Sequence, residues 1–401
     1  MNQRERVREI FSAAVRRVDP DAMIKTVMRV QNDTLTIQTE QESASYDLAQ
    51  FRRVVVVGAG KAGARMGRSV EEILGNRIQA GVIAVKPGHG ETLSRITLVE
   101  AGHPVPNDGS VQAGRRIAAI LDDADETTLI LSLISGGGSA LLTLPFDSAP
   151  YAISLEDMQA TTQALLASGA DIREINTIRK HLSAIKGGRA AARAYPATMV
   201  SLILSDVVGD DLSSIASGLT SPDSGTFSDA LNIFERYGII DTVPTPVTRL
   251  IRAGVAGDVP DTPRVGDPAF ERTRNILIGT NAQALIAARA RAFELGLNPL
   301  VLSSRIEGEA REVARFYAAI ARDLVRFDGD PAVTPIALPA CVIAGGETTV
   351  TLQETVWADE TRRWRWRFFF AWPIRPVRSG SPFSPAAPTA TTDLPTPPAA
   401  G

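Results

Sequence analysis

Three short stretches of this sequence carry residue types and spacings that could do chemistry. In residues 135–139, Gly136, Gly137 and Gly138 stand between Ser135 and Ser139. Consecutive glycines can turn successive N–H groups toward one oxyanion while two hydroxyls stand beside it, which outlines a nest for a small carboxylate or a phosphate. Residues 58–63 read Gly58-Ala59-Gly60-Lys61-Ala62-Gly63, a formal GxGxxG with a lysine at its tip. A lysine where a helix begins suits a phosphate that carries developing charge. Residues 205–211 hold Asp206, Asp210 and Asp211. Asp206 could coordinate magnesium or accept a hydroxyl proton, and Asp210 is a second candidate metal ligand, although Asp210 or Asp211 could equally cap the next helix.

Further candidates are weaker. Asn176, Arg179 and Lys180 share one face of a helix-patterned stretch, with Lys186 and Arg189 just beyond. They offer cations to a polyphosphate, and the competing reading is a basic helix face in water. Glu347, in the small polar stretch 345–349, is a candidate ligand contact. His89 and His103 lie in loops without carboxylates or cysteines at metal-ligand spacing, which leaves them loop-ordering or substrate-lining roles.

These residues need a scaffold, and the apolar pattern supplies one. Buried parallel strands are expected at 54–57, 81–85, 199–204 and at the start of 129–142, and the chemistry-bearing loops follow strands, where open α/β sheets bind ligands. The strand at 81–85 ends in Lys86 instead of the acidic residue that a nicotinamide site needs for ribose, which argues against that cofactor. Helices are expected at 3–18, where Asp19-Pro20 stops the run, and at 110–121. Two more follow, one capped by Ser154 and one by an Asp171/Glu174 capping box. Prolines and glycines at 242–268 read as a linker. A second α/β unit then begins with a strand at 275–279, helix 282–295, strand 299–302, helix 309–324 and strand 341–344. The expected fold is α/β with mostly parallel sheets in two domains, a Rossmann-like one at 1–238 and an incomplete one at 239–353.

Composition sets the outer bounds. The 401 residues carry a net charge of -3, which makes no case for nucleic acid or a membrane surface. Cys341 is the single cysteine, so no internal disulfide forms and a reducing cytoplasm is the expected home. No apolar run has membrane-spanning length, and the charged start lacks the apolar core of a signal peptide.

The motifs GAGKAG, LISGGGSALL, INTIRKHLSAIKGGR, LSDVVGDDLSSIASGLTSPD and AGGETTV occur in this order. Together, from near the start to about Thr351, they make a chain that resembles the glycerate 2-kinases, whose C-terminal portion is called the MOFRL domain. The resemblance implies ATP- and Mg2+-dependent phosphorylation of the 2-hydroxyl of D-glycerate, giving 2-phosphoglycerate in a cleft between two α/β domains. Lys61 then matches the family's essential lysine, and 135–139 its ligand-binding glycine loop. In this reading Lys61 stabilises the transferring phosphoryl group, and Arg179, Lys180 or Lys186 holds phosphates or the glycerate carboxylate. Glycerate is the expected partner, and a homodimer is compatible with the sequence. Family members often bear the label hydroxypyruvate reductase, and that activity is one alternative; a non-catalytic sugar-phosphate-binding module is another.

Past Leu352 the resemblance stops. Trp357, Trp364, Trp366 and Trp372 all fall there, ahead of a tail rich in Pro, Ala, Thr and Ser. A one-base frameshift accounts for this. Read one base earlier, permitted codons from Glu354 spell Gly-Asn-Gly-Leu-Gly-Gly-Arg-Asn-Gln-Glu-Met. From Ala387 they spell Thr-Asp-Gly-Asn-Asp-Gly-Pro-Thr-Asp-Ala-Ala-Gly, and both are MOFRL signatures in the family's order. The competing reading is a divergent Pro-rich tail. The arginine that the family places in its active site through the GGRNQE motif is then missing, and its loss would cost orders of magnitude in rate. Residues 354–401 are expected to be disordered or mispacked, and the polypeptide to be weakly active or inactive.

Overall fold

The computed structural model describes residues 1–328, 330, 332–351 and 363–374. Helix Gln3–Arg17 ends where Asp19 caps the next helix, Pro20–Val27, whose first residue is the proline. An antiparallel meander follows, of β1 (Met28–Gln31), β2 (Thr34–Gln38) and β3 (Ser43–Asp47).

The main sheet contains β4 (Arg53–Ala59), β5 (Ile78–Val85), β6 (Thr97–Glu100), β7 (Thr128–Ile134), β8 (Thr198–Leu204) and β9 (Thr273–Gly279). All pairings in it are parallel, and the strand order is β6-β5-β4-β7-β8-β9. The chain therefore builds outward from β4 on one side and then reverses, so β4 and β7 flank a topological switch point. Alternate side chains of the central strands serve different layers. Val55, Val57, Ile130 and Ile134 pack against helix Asp108–Asp122, while Val54, Val56, Leu129, Leu131 and Leu133 pack with helices Pro20–Val27 and Gly63–Leu74. Each such side chain taken fully out of water is worth about 1.5–3 kcal/mol, which explains why these strands read as continuous apolar runs.

Three sequence expectations change here. The strand expected to open the second unit is β9, and it pairs with β8 at the edge of the first sheet. Its apolar residues Ile276 and Ile278 bury into the same layer as Val200 and Leu202, which a separate unit would not allow. The 242–268 stretch is not a bare linker. It contains helix Thr245–Ala256, with Val247, Leu250 and Ile251 wholly buried in a helical cluster around Phe227 and Phe234. Pro244 and Gly257 mark the ends of this helix, so the turn-forming residues punctuate it. Residues 345–349 form no loop, because a strand over Ala340–Thr351 runs straight through them.

The second sheet contains β10 (Asn298–Val301), β11 (Ile306–Glu309), β12 (Ala340–Thr351) and β13 (Arg363–Ile374). Both β10 and β11 pair parallel with β12, the first along 340–343 and the second along 346–349. Strand β13 pairs antiparallel with β12 over its whole length. Residues 363–374 of the segment expected to be disordered or mispacked form this strand. The rest of that segment, including both shifted-frame signatures, lies outside the described residues. Helix Gln3–Arg17 packs here, not on the first sheet: Ile10 and Ala14 bury against Leu285, Ala288 and Ile343. Among the described residues no helix is long and apolar enough to cross a membrane.

Candidate active site

The loops after β4 and β7 meet at the switch point, and hydrogen bonds zip them together. Lys61 N donates to Gly136 O at 2.9 Å, Ser135 N to Ala59 O at 3.0 Å, and Ala62 N to Ser135 Oγ at 3.1 Å. Gly60 N donates to Ala84 O and Gly63 N to Gly60 O. The amides of 60–63 are therefore spent inside the fold, which corrects the expectation that this loop presents N–H groups to an anion at a helix N-terminus. Gly58, Gly60 and Gly63 serve close packing: β-carbons on them would run into Leu133 O, Ser135 and Ile83. What this loop offers toward the surface is the side chain of Lys61, which is exposed.

The 135–139 loop differs. Gly137 adopts φ +84°, and the helix that follows, Gly138–Leu141, is a single turn that supplies little dipole. Among the described residues, no backbone carbonyl takes up the amides of Gly136 and Gly137. Side chains crowd these two glycines. A β-carbon on Gly136 would collide with the carboxylate of Asp206. On Gly137 it would lie 2.9 Å from His103 Cδ2 and 3.3 Å from Lys61 Cε. Only glycine lets Lys61, His103 and Asp206 close over one stretch of backbone, from loops after β4, β6 and β8. The far end of the loop is tied down, with Ser139 Oγ 2.6 Å from Ser217 Oγ.

The rim behind the site is strained. Ala216 and Ser217 hold φ +50° and +58°, followed by Gly218 at +63°. Non-glycine residues in this region cost on the order of 1 kcal/mol or more each and persist where surroundings over-determine them. Gly187 and Gly188 donate to the carbonyls of Ser217 and Gly218 at 3.0 and 2.7 Å and fix that conformation. Asp210, at φ +57°, forms a tight turn with Gly209. Asp211 accepts from Ser213 and Ser214. Burial works against its carboxylate, yet these hydrogen bonds and the charge of Lys180 leave its pKa lowered.

The basic helix is not a solvated face. Lys180 is buried and donates to Asp223 Oδ1 at 2.9 Å, and Thr262 Oγ1 and Gly225 N also serve this carboxylate. Burial disfavours the Asp223 anion, but Lys180 overcomes that penalty and holds its pKa below the ordinary value. The expected ligand contact at Lys180 is thus engaged in a structural ion pair. Asn176 is buried on the same helix, Arg179 is half-buried, and Arg189 turns inward to the carbonyls of Lys180 and Ser183. Lys186 lies wholly inside, its Nζ 3.2 Å from Thr143 Oγ1. Glu347 sits mid-strand in β12, opposite Glu307 of β11, because Thr348, Thr349 and Val350 continue the strand.

Sequence reading missed one neighbour of the site and leaves another open between two roles. His103, loop-ordering or substrate-lining by expectation, lies so near Gly137 that a β-carbon there would be 2.9 Å from its Cδ2. Arg305, between β10 and β11, projects from the second sheet so that a β-carbon on Gly209 would lie 3.9 Å from its guanidinium carbon. Its signal was a Ser-Ser-Arg stretch after a strand, the same kind of small polar loop that marked the other sites. Among the described residues no group of three or more His, Cys, Asp or Glu could cage a metal ion.

Residues 6–252 match the family model described as a domain of unknown function, DUF4147. A glycerate 2-kinase from Pyrococcus horikoshii is 37% identical over 353 residues, 88% of this chain and 76% of the relative. A relative from Agrobacterium vitis, provisionally named a hydroxypyruvate reductase, is 44% identical over 300 residues, 75% of this chain and 64% of the relative. A crystal structure of glycerate kinase from Thermotoga maritima superposes with a TM-score of 0.71 at 36% identity, covering 87% of this chain and 75% of that one.

Proposed function

The chain belongs to the DUF4147 glycerate kinase family and is a kinase, and from that premise we propose that it phosphorylates D-glycerate at the 2-hydroxyl with ATP as donor. The observation that carries the reading is the closure of Lys61, His103 and Asp206 over Gly136 and Gly137 at the switch point. In the proposed reaction the 2-hydroxyl oxygen attacks the terminal phosphorus, its proton passes to the Asp206 carboxylate, and the bond to the bridging oxygen breaks to release ADP. The ammonium of Lys61 offsets charge on the transferring group, where one preorganised donor is typically worth 10²–10³ in rate. The amides of Gly136 and Gly137 orient an anionic oxygen, and Arg179 holds a phosphate or the glycerate carboxylate.

Magnesium fits as a shared ion and not a caged one, since it keeps several waters and needs only one or two carboxylates beside the nucleotide phosphates. Asp206 would hold it if another group takes the proton, and Asp210, four residues on, is the second candidate. Bound there, the ion would neutralise phosphate charge. A nicotinamide-dependent reductase is less well supported, because β5 ends at Val85 ahead of Lys86 with no acid to receive a ribose.

The test measures ADP formation with D-glycerate and the 31P spectrum of the product, on this chain and on the frame-restored sequence side by side. We expect 2-phosphoglycerate from the frame-restored protein and slower turnover from this one. Formation of 3-phosphoglycerate, or NADH oxidation with hydroxypyruvate in place of ADP release, would overturn the proposal.

A further inference from the structure

Lys186 is among the largest fully buried side chains of the described residues, only 2% exposed, and no carboxylate of the described residues pairs with it. Its Nζ has one polar neighbour, Thr143 Oγ1, which donates in turn to Ser139 O at 3.3 Å. The next residue, Gly187, donates to Ser217 O, and Ser217 meets Ser139 through their hydroxyls. The amine is therefore one hydroxyl away from the main chain of the 135–139 loop, on its buried side. Ser183 Oγ, which accepts from Lys186 N, is neutral, as is Thr143. Among the described residues the one charged group acting on the amine is Arg179, and it has the same sign.

A buried amine without an anion, next to a guanidinium, is poorly placed to carry a proton. Burial first, and Arg179 second, bring its pKa down to about 7. An anion entering the glycine loop adds a negative charge to surroundings that otherwise act on the amine through Arg179 alone.

We propose that Lys186 is a positioning residue whose charge is coupled to the anion site: largely neutral in mildly alkaline solution while the site is empty, it takes up close to one proton as an anionic group docks between Arg179 and the Gly136–Gly137 backbone. This rests on the kinase reading only for the identity of that anion, the glycerate carboxylate or a phosphate. The proton comes from solvent and stays on Nζ while the anion is bound, so the site gains a second cation only when it has a charge to meet. A unit negative charge brought within about 5 Å raises such a pKa by on the order of two units.

Calorimetry at pH 8 in two buffers of different ionisation heat counts the protons taken up on binding D-glycerate and, separately, sulfate, which does not itself titrate there. The wild-type chain should take up about 0.8 proton per anion at pH 8, with affinity falling about sixfold from pH 7.5 to 8.5. Lys186→Met should take up none, with affinity changing less than twofold across the same range. Lys186→Arg, charged throughout, should also bind without uptake, and it covers the case in which the methionine variant folds poorly. A merely structural lysine would alter stability and leave the proton count unmoved. Sulfate binding with a Lys186-dependent proton but no glycerate binding keeps the inference and overturns the glycerate reading. No uptake by the wild type, unchanged uptake in both variants, or binding of neither anion overturns the inference.

Discussion

The loops after β4 and β7 lie side by side at the switch point, each rich in glycine and each following a strand buried on both faces, yet their amides end in opposite conditions. The 60–63 amides are consumed by Ala84, Gly136, Ser135 and Gly60. Those of Gly136 and Gly137 meet no backbone acceptor among the described residues, and three chemically capable side chains gather over them. The lesson is that a GxGxxG spacing reports a close approach of backbones, and what approaches can be a ligand or another strand. Here the first loop is a brace that carries one lysine, and the second is the cradle.

This division can be broken at the lysine. In the frame-restored protein Lys61→Ala should lower kcat by about 10³-fold, because a preorganised cation near transferring charge is lost. Lys61 is exposed, so the melting temperature should stay within about 2 °C of wild type. A steady-state assay paired with thermal unfolding checks both halves. Full turnover in the alanine variant would remove the loop's claim to any part in the reaction.

The brace itself can be tested through Gly60, whose φ of +141° and contact with Ser135 leave no room for a β-carbon. Gly60→Ala should cost about 3 kcal/mol of stability, read as a lower urea midpoint with unchanged slope. If the variant instead kept its midpoint and lost nucleotide affinity, the loop would be a ligand contact after all.

Much of this architecture could be read from the residues, and the failures share a cause. Strands β4, β5, β7 and β8 are buried on both faces, so continuous apolar runs marked them without ambiguity. The capping boxes at Ser154 and Asp171 are local chemistry and form as expected. Side-chain direction was the hidden quantity. Lys180 and Lys186 read as cations offered to a ligand, or else to water, because helical spacing says which residues share a side and not which side meets Asp223 or Thr143. Strand β9 was assigned to the wrong sheet for a similar reason, since its apolar pattern suits either edge. His103 and Arg305 reach the site from loops whose tips are placed only by tertiary packing.

Arg305 gives the smallest and most discriminating effect, because among the described residues it reaches the acidic loop from the second sheet. Its loop is anchored by Gly345 N to Ser303 O and Asn281 Nδ2 to Ser304 O, each at 2.9 Å, so the guanidinium is held over Gly209 by bonds that do not involve it. Arg305→Gln should therefore leave the fold intact and remove a charge where nucleotide phosphates would approach Asp206. We expect the KM for ATP to rise about tenfold, equivalent to about 1.4 kcal/mol, with the KM for glycerate changed less than twofold. An increase confined to glycerate would place the carboxylate, and not the nucleotide, beneath the second sheet. An unchanged KM for both would mean that the first sheet and its two loops assemble the site alone.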